Sequence, residues 1–142
     1  MNKEMELKLI KLAFDAREKA YVPYSNFAVG AALLAKNGTI YQGCNIENAS
    51  FTPTNCAERT AFFKAVYDGV RDFEAIAIVG GKKDLPREQC EICAPCGVCS
   101  QVMREFCNPD TFQVILAANE TDYQTYTLNE LLPLGFGPEN LR

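Results

Sequence analysis

Apolar residues recur every three or four positions at the start of the chain, with Lys and Glu between them. The apolar positions are Met5, Leu9, Leu12, Ala13, Ala16 and Ala20. This spacing predicts an amphipathic helix. We expect the helix to end before Val22-Pro23, because proline disfavours helical geometry in the residue that precedes it.

The pattern then changes to continuous apolar runs. Phe27–Ala35 predicts a buried strand, and residues 39–44 predict the returning strand of a hairpin. Lys36-Asn37-Gly38 lies between them and predicts the turn, since Asn-Gly readily adopts positive φ. Two further runs, residues 73–79 and 111–118, each predict a strand.

Three later segments are typical of helices. Residues 56–68 predict one helix, which Gly69 is well placed to end, and residues 96–106 predict another. Thr127-Leu128-Asn129-Glu130 matches a capping box and predicts a short helix that stops at Pro133. Helix, hairpin and then alternating helix and strand predict an α/β fold, with one domain over residues 1–142 and helices on both faces of a sheet.

Composition and charge narrow the possible partners. The 142 residues are 48% hydrophobic and 23% charged, as in an ordinary globular domain. A net charge of −4, with Lys and Arg scattered, argues against a nucleic-acid partner. The longest apolar run, Phe27–Ala35, is far shorter than the roughly 20 residues that span a bilayer. Without a secretory signal at the N-terminus, we expect a cytoplasmic protein with a small-molecule substrate.

The candidate chemistry lies in cysteines, since the chain has seven of them and no histidine. Cys56-Ala57-Glu58 is followed later by Pro95-Cys96-Gly97-Val98-Cys99. Three thiolates would leave one tetrahedral position on Zn²⁺ for water, and the glutamate could move the protons of that water. Each cysteine group begins a predicted helix, where partial positive charge favours thiolates. Arg59 would donate to the thiolates and offset their negative charge.

Two other interpretations of the cysteines remain open from spacing alone. Cys90, Cys93, Cys96 and Cys99 also resemble an iron–sulfur run, although that interpretation leaves Cys56 and Glu58 without a role. A Cys-x-x-Cys pair at a helix start is also found in structural zinc modules. In the catalytic zinc interpretation Cys90 and Cys93 are extra thiols, while Cys44 and Cys107 are small core residues.

Four segments carry a resemblance to a known family. They are residues 23–32, 43–50, 55–61 and 131–138, in the same order along the chain as in the family. They resemble the small homotetrameric zinc-dependent cytidine deaminases of the cytidine and deoxycytidylate deaminase superfamily. The resemblance implies a three-layer α/β/α fold with a mixed sheet of about five strands. It also implies a homotetramer in which Phe136 completes a neighbouring active site.

The resemblance further implies a reaction. Cytidine and 2′-deoxycytidine would be deaminated hydrolytically to uridine and 2′-deoxyuridine, with release of ammonia, in pyrimidine salvage. One Zn²⁺ per chain would be held by Cys56, Cys96 and Cys99, and would activate water. Glu58 would be the catalytic proton shuttle, from that water to the pyrimidine ring and the leaving amine.

Substrate-binding roles follow by position from the same resemblance. Phe27 would stack on the pyrimidine, while Asn45 and Glu47 would hold the ribose hydroxyls. The backbone N–H of Ala57 would read the base edge together with Glu58. Ser100 departs from the family, where Arg is common, and Phe51 stands where Tyr is frequent. A blasticidin-type deaminase and a polynucleotide deaminase are the other enzymes considered. The segment 45–49 argues against the first, and the acidic charge argues against the second.

Overall fold

The computed structural model describes residues 1–142, which form four α-helices, two short 3₁₀ helices and five strands. In chain order these are α1 Lys3–Arg17, β1 Phe27–Ala35, β2 Ile40–Cys44, α2 Ala57–Tyr67, β3 Phe73–Lys82, α3 Gly97–Phe106, β4 Gln113–Ala117, β5 Tyr123–Thr127 and α4 Leu128–Leu131. The predicted capping box is present, because Thr127 and Glu130 exchange side-chain and backbone hydrogen bonds at the start of α4. None of the helices is both long and apolar enough to cross a membrane.

The five strands form one mixed sheet in the order β2-β1-β3-β4-β5. β1 pairs antiparallel with both β2 and β3, β3 pairs parallel with β4, and β5 is antiparallel to β4. β2, β3 and β4 therefore run in the same direction, so that their carboxyl ends lie at one edge of the sheet. Because α2 follows β2 and α3 follows β3, the N-termini of both helices come to that edge.

Helices cover both faces of the sheet, as predicted. Ala31 and Leu33 of β1 pack in the same core cluster as residues of α2 and α3, whereas Ala32 and Leu34 pack with α1 on the other face. A strand buried on both faces needs apolar residues at every position, which explains the continuous run in β1. The α/β/α layering and the mixed five-stranded sheet are confirmed.

Two glycines allow helices to approach the sheet closely. A Cβ on Gly30 would lie 2.0 Å from the carbonyl oxygen of Ala13 in α1. A Cβ on Gly43 would lie 2.4 Å from the carbonyl oxygen of Ala57 in α2. Real Cβ atoms do not approach backbone oxygens so closely, so any larger residue at either position would displace a helix. Gly43 in particular sets where the first turn of α2 lies.

The structure differs from the sequence predictions in three places. β5 was not predicted as a separate strand, because it is a half-exposed edge strand without an apolar run. α1 ends at Arg17, earlier than expected, and Ala20 and Val22 instead form a small separate cluster with Ala28. β3 continues through Gly80 and Gly81 to Lys82, whereas the apolar run predicted a strand that ends at residue 79.

Candidate active site

Three cysteines meet where the N-termini of α2 and α3 converge. Cys56 and Cys96 are the N-cap residues of the two helices, and Cys99 lies one turn into α3. Their sulfur atoms all lie within 4.8 Å of one another. The Cys56 and Cys96 sulfurs are 3.8 Å apart, and the Cys96 and Cys99 sulfurs are 3.4 Å apart. Tetrahedral zinc with Zn–S bonds of about 2.3 Å places pairs of sulfurs about 3.8 Å apart, so the donor set fits this ion.

The charge of these thiols is balanced locally. Nη2 of Arg59 donates to the Cys56 sulfur at 3.4 Å, as the sequence predicted, and the backbone N–H of Cys99 donates to the Cys96 sulfur at 3.4 Å. Without metal, a hydrogen bond from the Cys99 thiol and the contact with Arg59 lower the pKa of Cys56 to about 5. The proton remains on Cys99, because its hydrogen bond with Cys56 raises the pKa of the Cys99 thiol.

Replacing Arg59 is expected to weaken zinc binding without unfolding the chain. Arg59→Gln removes the cation beside Cys56, so the pKa of that thiol rises and more protons compete with the metal. We expect zinc affinity to fall by about 10- to 100-fold, with the loss greater at lower pH. Competition with a chelator across a pH series measures the effect. Arg71→Gln, at an exposed residue, is the control, and equal affinities of the two variants would contradict the role of Arg59.

Glu58 lies on the first turn of α2, two residues after Cys56, and is only 4% exposed. Burial raises the pKa of its carboxyl to about 7. A carboxyl that titrates near neutral pH can both accept and donate a proton under working conditions, which is the property of a general acid–base group. Ala57 precedes it and is fully buried. The Ala57 N–H belongs to the first helical turn, which has no intrahelical acceptors, and the Cys56 side chain does not cap it.

Phe27 and its neighbours also come together with Asn45 and Glu47, which lie about twenty positions later in the chain. The Asn45 side chain accepts from Val29 N–H and donates to the Phe27 carbonyl, both at 2.9 Å. Glu47 Oε1 accepts from the backbone N–H of Tyr24 at 3.0 Å. Phe27 as a residue is 39% exposed at the start of β1, so it is not the fully buried core residue that the strand pattern alone predicts.

Cys93 lies between these two groups of residues. A Cβ on Gly80 would be 3.1 Å from the Cys93 sulfur and 3.2 Å from Cε1 of Phe27. Burial first, and then the negative charges of Glu58 and Cys56, raise the pKa of the Cys93 thiol to about 11. The sequence did not indicate that Gly80 would lie beside the site. The only relevant feature of the sequence is that Gly80 follows an apolar run.

The four-cysteine run is not assembled. Cys93 packs against Gly80, while the Cys90 sulfur packs against Gly81, the next residue along β3. Successive residues of a strand face opposite sides of the sheet, and Cys90 belongs to the core cluster on the α1 side. The group of potential metal ligands contains only Cys56, Cys96 and Cys99. The iron–sulfur interpretation is therefore wrong. Cys107 is a buried core residue as expected, whereas Cys44 is only partly buried.

The residues expected at subunit contacts lie at the surface or beside the site. Phe51 and Phe136 are exposed, and the Phe136 carbonyl accepts from Gln101 of α3 at 2.8 Å. Ser100 is buried directly after Cys99. Its small side chain fits this buried position.

The whole arrangement has counterparts in known proteins. Residues 3–115 match the family model described as the cytidine and deoxycytidylate deaminase zinc-binding region. The chain belongs to this family. Cytidine deaminases from Sporosarcina psychrophila and Halalkalibacterium halodurans are each 53% identical to it over 94% of this chain and 93% and 95% of theirs. A crystal structure of cytidine deaminase from Burkholderia pseudomallei, 48% identical, superposes with a TM-score of 0.80 over 91% of this chain and 97% of that one.

Family membership identifies the metal and the class of enzyme. The cytidine and deoxycytidylate deaminase family is a zinc-dependent hydrolase family, and the three-cysteine cluster of this chain can hold the ion. A more distant relative has a different activity, since a blasticidin-S deaminase from Bacillus cereus is 31% identical over 94% of this chain and 93% of its own. The alternative substrate considered from the sequence therefore occurs among its relatives.

Proposed function

We propose that this protein deaminates cytidine and 2′-deoxycytidine hydrolytically to uridine and 2′-deoxyuridine, and so serves pyrimidine salvage. The observation that carries the proposal is the buried Glu58 carboxyl, two residues after one thiol of a three-cysteine cluster that fits zinc. Relatives 53% identical over nearly the whole chain are cytidine deaminases, which supports this substrate over other amino-pyrimidines.

Cys56, Cys96 and Cys99 are the proposed zinc ligands. The bound ion supplies Lewis acidity, which makes water a nucleophile near neutral pH. Glu58 accepts a proton from the attacking water and delivers it to N3 of the pyrimidine as oxygen bonds to C4. The carboxylate then takes up the second proton of the water and passes it to the amino group, which leaves C4 as ammonia while the C4 carbonyl forms. The Ala57 N–H is free to donate to the base edge.

Phe27, Asn45 and Glu47 are the proposed nucleoside-binding residues. Phe27 is partly exposed, and its ring would offer an apolar surface for an offset stack with the pyrimidine. Asn45 and Glu47 retain unused hydrogen-bonding capacity for ribose hydroxyls beyond the contacts they make with the chain. A carboxylate at the ribose also repels a phosphate, which favours free nucleosides over nucleotides or a polynucleotide.

We further propose a homotetramer in the cytoplasm, in which Phe136 contributes to a neighbouring active site. Three large apolar residues are exposed to solvent: Phe51 is 86%, Leu134 101% and Phe136 56% exposed. Exposed apolar residues of this kind support the association of subunits. Support for a reducing compartment comes from the seven cysteines, which are all free, and from a metal site built of thiols.

One purified sample tests these proposals together. Mixed with cytidine, the protein is expected to shift the ultraviolet spectrum to that of uridine, with one zinc per chain by metal analysis. Light scattering is expected to give four times the 15.8 kDa chain mass. Zinc without conversion of cytidine, but with conversion of blasticidin S, would overturn the proposed substrate. A monomer with full activity would overturn the shared active site.

A further inference from the structure

The turn before Phe27 has an unusual backbone. Asn26 has a φ of 56°, and only one other non-glycine residue, Leu134, has a positive φ. This left-handed conformation is sparsely populated outside glycine, although Asn tolerates it better than most residues. Such a turn persists only where surrounding contacts hold it, and here the contacts come from a side chain distant in sequence.

Glu47 supplies those contacts. Its Oε1 accepts from Tyr24 N–H at 3.0 Å and from Ser25 N–H at 3.1 Å, and its Oε2 accepts from the Ser25 hydroxyl. The hydroxyl of Ser25 lowers the pKa of the Glu47 carboxyl. Three hydrogen bonds from two consecutive residues converge on one carboxylate, which therefore fixes the turn to the segment that follows β2.

The Ser25 hydroxyl extends this contact to Phe27. Because the Glu47 carboxylate only accepts, the single hydroxyl hydrogen of Ser25 is donated to it, and an oxygen lone pair remains free. That oxygen accepts from the Phe27 N–H at 3.0 Å. At the other side of the residue, the Phe27 carbonyl accepts from the Asn45 amide at 2.9 Å. Side chains thus hold both backbone polar groups of Phe27.

The backbone conformation at Phe27 determines where its ring lies, because the ring does not belong to the buried core. Phe27 is partly exposed at the start of β1, and its ring atom Cε1 is 3.2 Å from the position that a Cβ on Gly80 would take. Side chains of the core do not hold this ring in place. Its orientation therefore depends on the position of its own Cα atom and on the backbone conformation of the turn. Movement of this turn would therefore change the stacking surface without disturbing the zinc cluster.

We propose that Ser25 is a positioning residue, whose hydroxyl links the Glu47 carboxylate to the Phe27 N–H and so holds the Phe27 ring against the pyrimidine. The inference rests on the proposed function, which assigns Phe27 to the base. Ser25 itself contacts neither the base nor the reacting atoms. Its contribution belongs to binding of the nucleoside and not to the proton transfers at Glu58.

A graded series of variants at Ser25 tests the proposal. Ser25→Ala is expected to raise KM for cytidine, and the dissociation constant of the product uridine by calorimetry, by the same factor of about 3 to 10, with kcat within about twofold of wild type. Ser25→Thr keeps the hydroxyl and is expected to bind like wild type, while Ser25→Cys, a weaker donor, is expected to fall between them. Ser25 is exposed, so the series is expected to fold with full zinc content.

A double-mutant cycle with Phe27→Leu separates this role from others. If Ser25 acts through the ring, Ser25→Ala changes uridine binding by less than about twofold in the Phe27→Leu background, because the coupled effect is already lost. Fully additive losses would overturn the proposal. So would a changed ratio of kcat/KM for cytidine against 3′-deoxycytidine in Ser25→Ala, since that would place the effect at the ribose contact of Glu47.

The wild-type protein distinguishes failure of this inference from failure of the proposed function. A wild type that neither converts cytidine nor binds uridine would contradict the function, and the positioning role would fall with it. A wild type that converts cytidine normally, beside a Ser25 series with unchanged KM and unchanged uridine binding, would overturn the positioning role alone.

Discussion

Glu58→Gln is expected to keep one zinc per chain and to lower kcat by about 10²- to 10⁴-fold, the range of general acid–base catalysis. The amide has the same shape as the carboxyl and leaves Cys56, Cys96 and Cys99 in place, so metal binding does not depend on it. It cannot accept a proton from water or return one to the pyrimidine. The loss should therefore appear in kcat, while binding of uridine changes little.

Zinc analysis and steady-state kinetics on one preparation measure both halves of this expectation. Glu105→Gln, an exposed position on α3, is the matched control and is expected to behave as wild type. Turnover near the wild-type rate in Glu58→Gln would contradict the shuttle, because the group of potential metal ligands contains no carboxyl that could replace it. Loss of zinc instead would place Glu58 among the groups that hold the metal.

A pKa near 7 suits Glu58 to this work, and burial is its main cause. The same burial has a consequence for the metal-free protein, since a carboxyl in an apolar setting favours its neutral form.

The sequence predicted the metal site better than the nucleoside site, for a physical reason. Cys56 and Glu58 are two residues apart, and Cys96 and Cys99 three apart, so local helix geometry already places each pair. The meeting of the two pairs follows from β2 and β3 running in the same direction. That direction depends on the strand order, which the apolar pattern does not contain.

The contacts around Phe27 depend on residues roughly twenty positions away, and side-chain hydrogen bonds leave no periodic signal. A continuous apolar run predicted that Phe27 begins a buried strand, whereas the residue is partly exposed at the first position of β1, directly after the turn at Asn26. The resemblance to the family supplied roles for Asn45 and Glu47 but none for Ser25. Its role could be inferred only from the hydrogen bonds of the folded chain.

Gly43→Ala is expected to reduce both stability and activity, because no side chain fits between β2 and α2. Its Cβ would lie 2.4 Å from the Ala57 carbonyl oxygen and 2.6 Å from the Ala61 nitrogen. These are backbone atoms of a packed helix, so α2 itself must move. Overpacking of this kind costs about 1–3 kcal/mol, which corresponds to a fall in melting temperature of roughly 3–10 °C for a chain of this size.

The same displacement should reach the chemistry, because the moved turn carries Cys56 and Glu58. A shift of about 1 Å in a catalytic group can cost about 10²-fold in rate, so kcat is expected to fall by far more than the change in stability alone explains. Gly97→Ala is the control, since nothing lies within 4 Å of its Cβ position, and an alanine in the first turn of α3 should leave the melting temperature unchanged or slightly higher. Calorimetry and kinetics on both variants measure the contrast. Equal melting temperatures and equal kcat for Gly43→Ala and wild type would mean that β2 and α2 separate easily, and that the position of Glu58 is set by α3 and the metal instead.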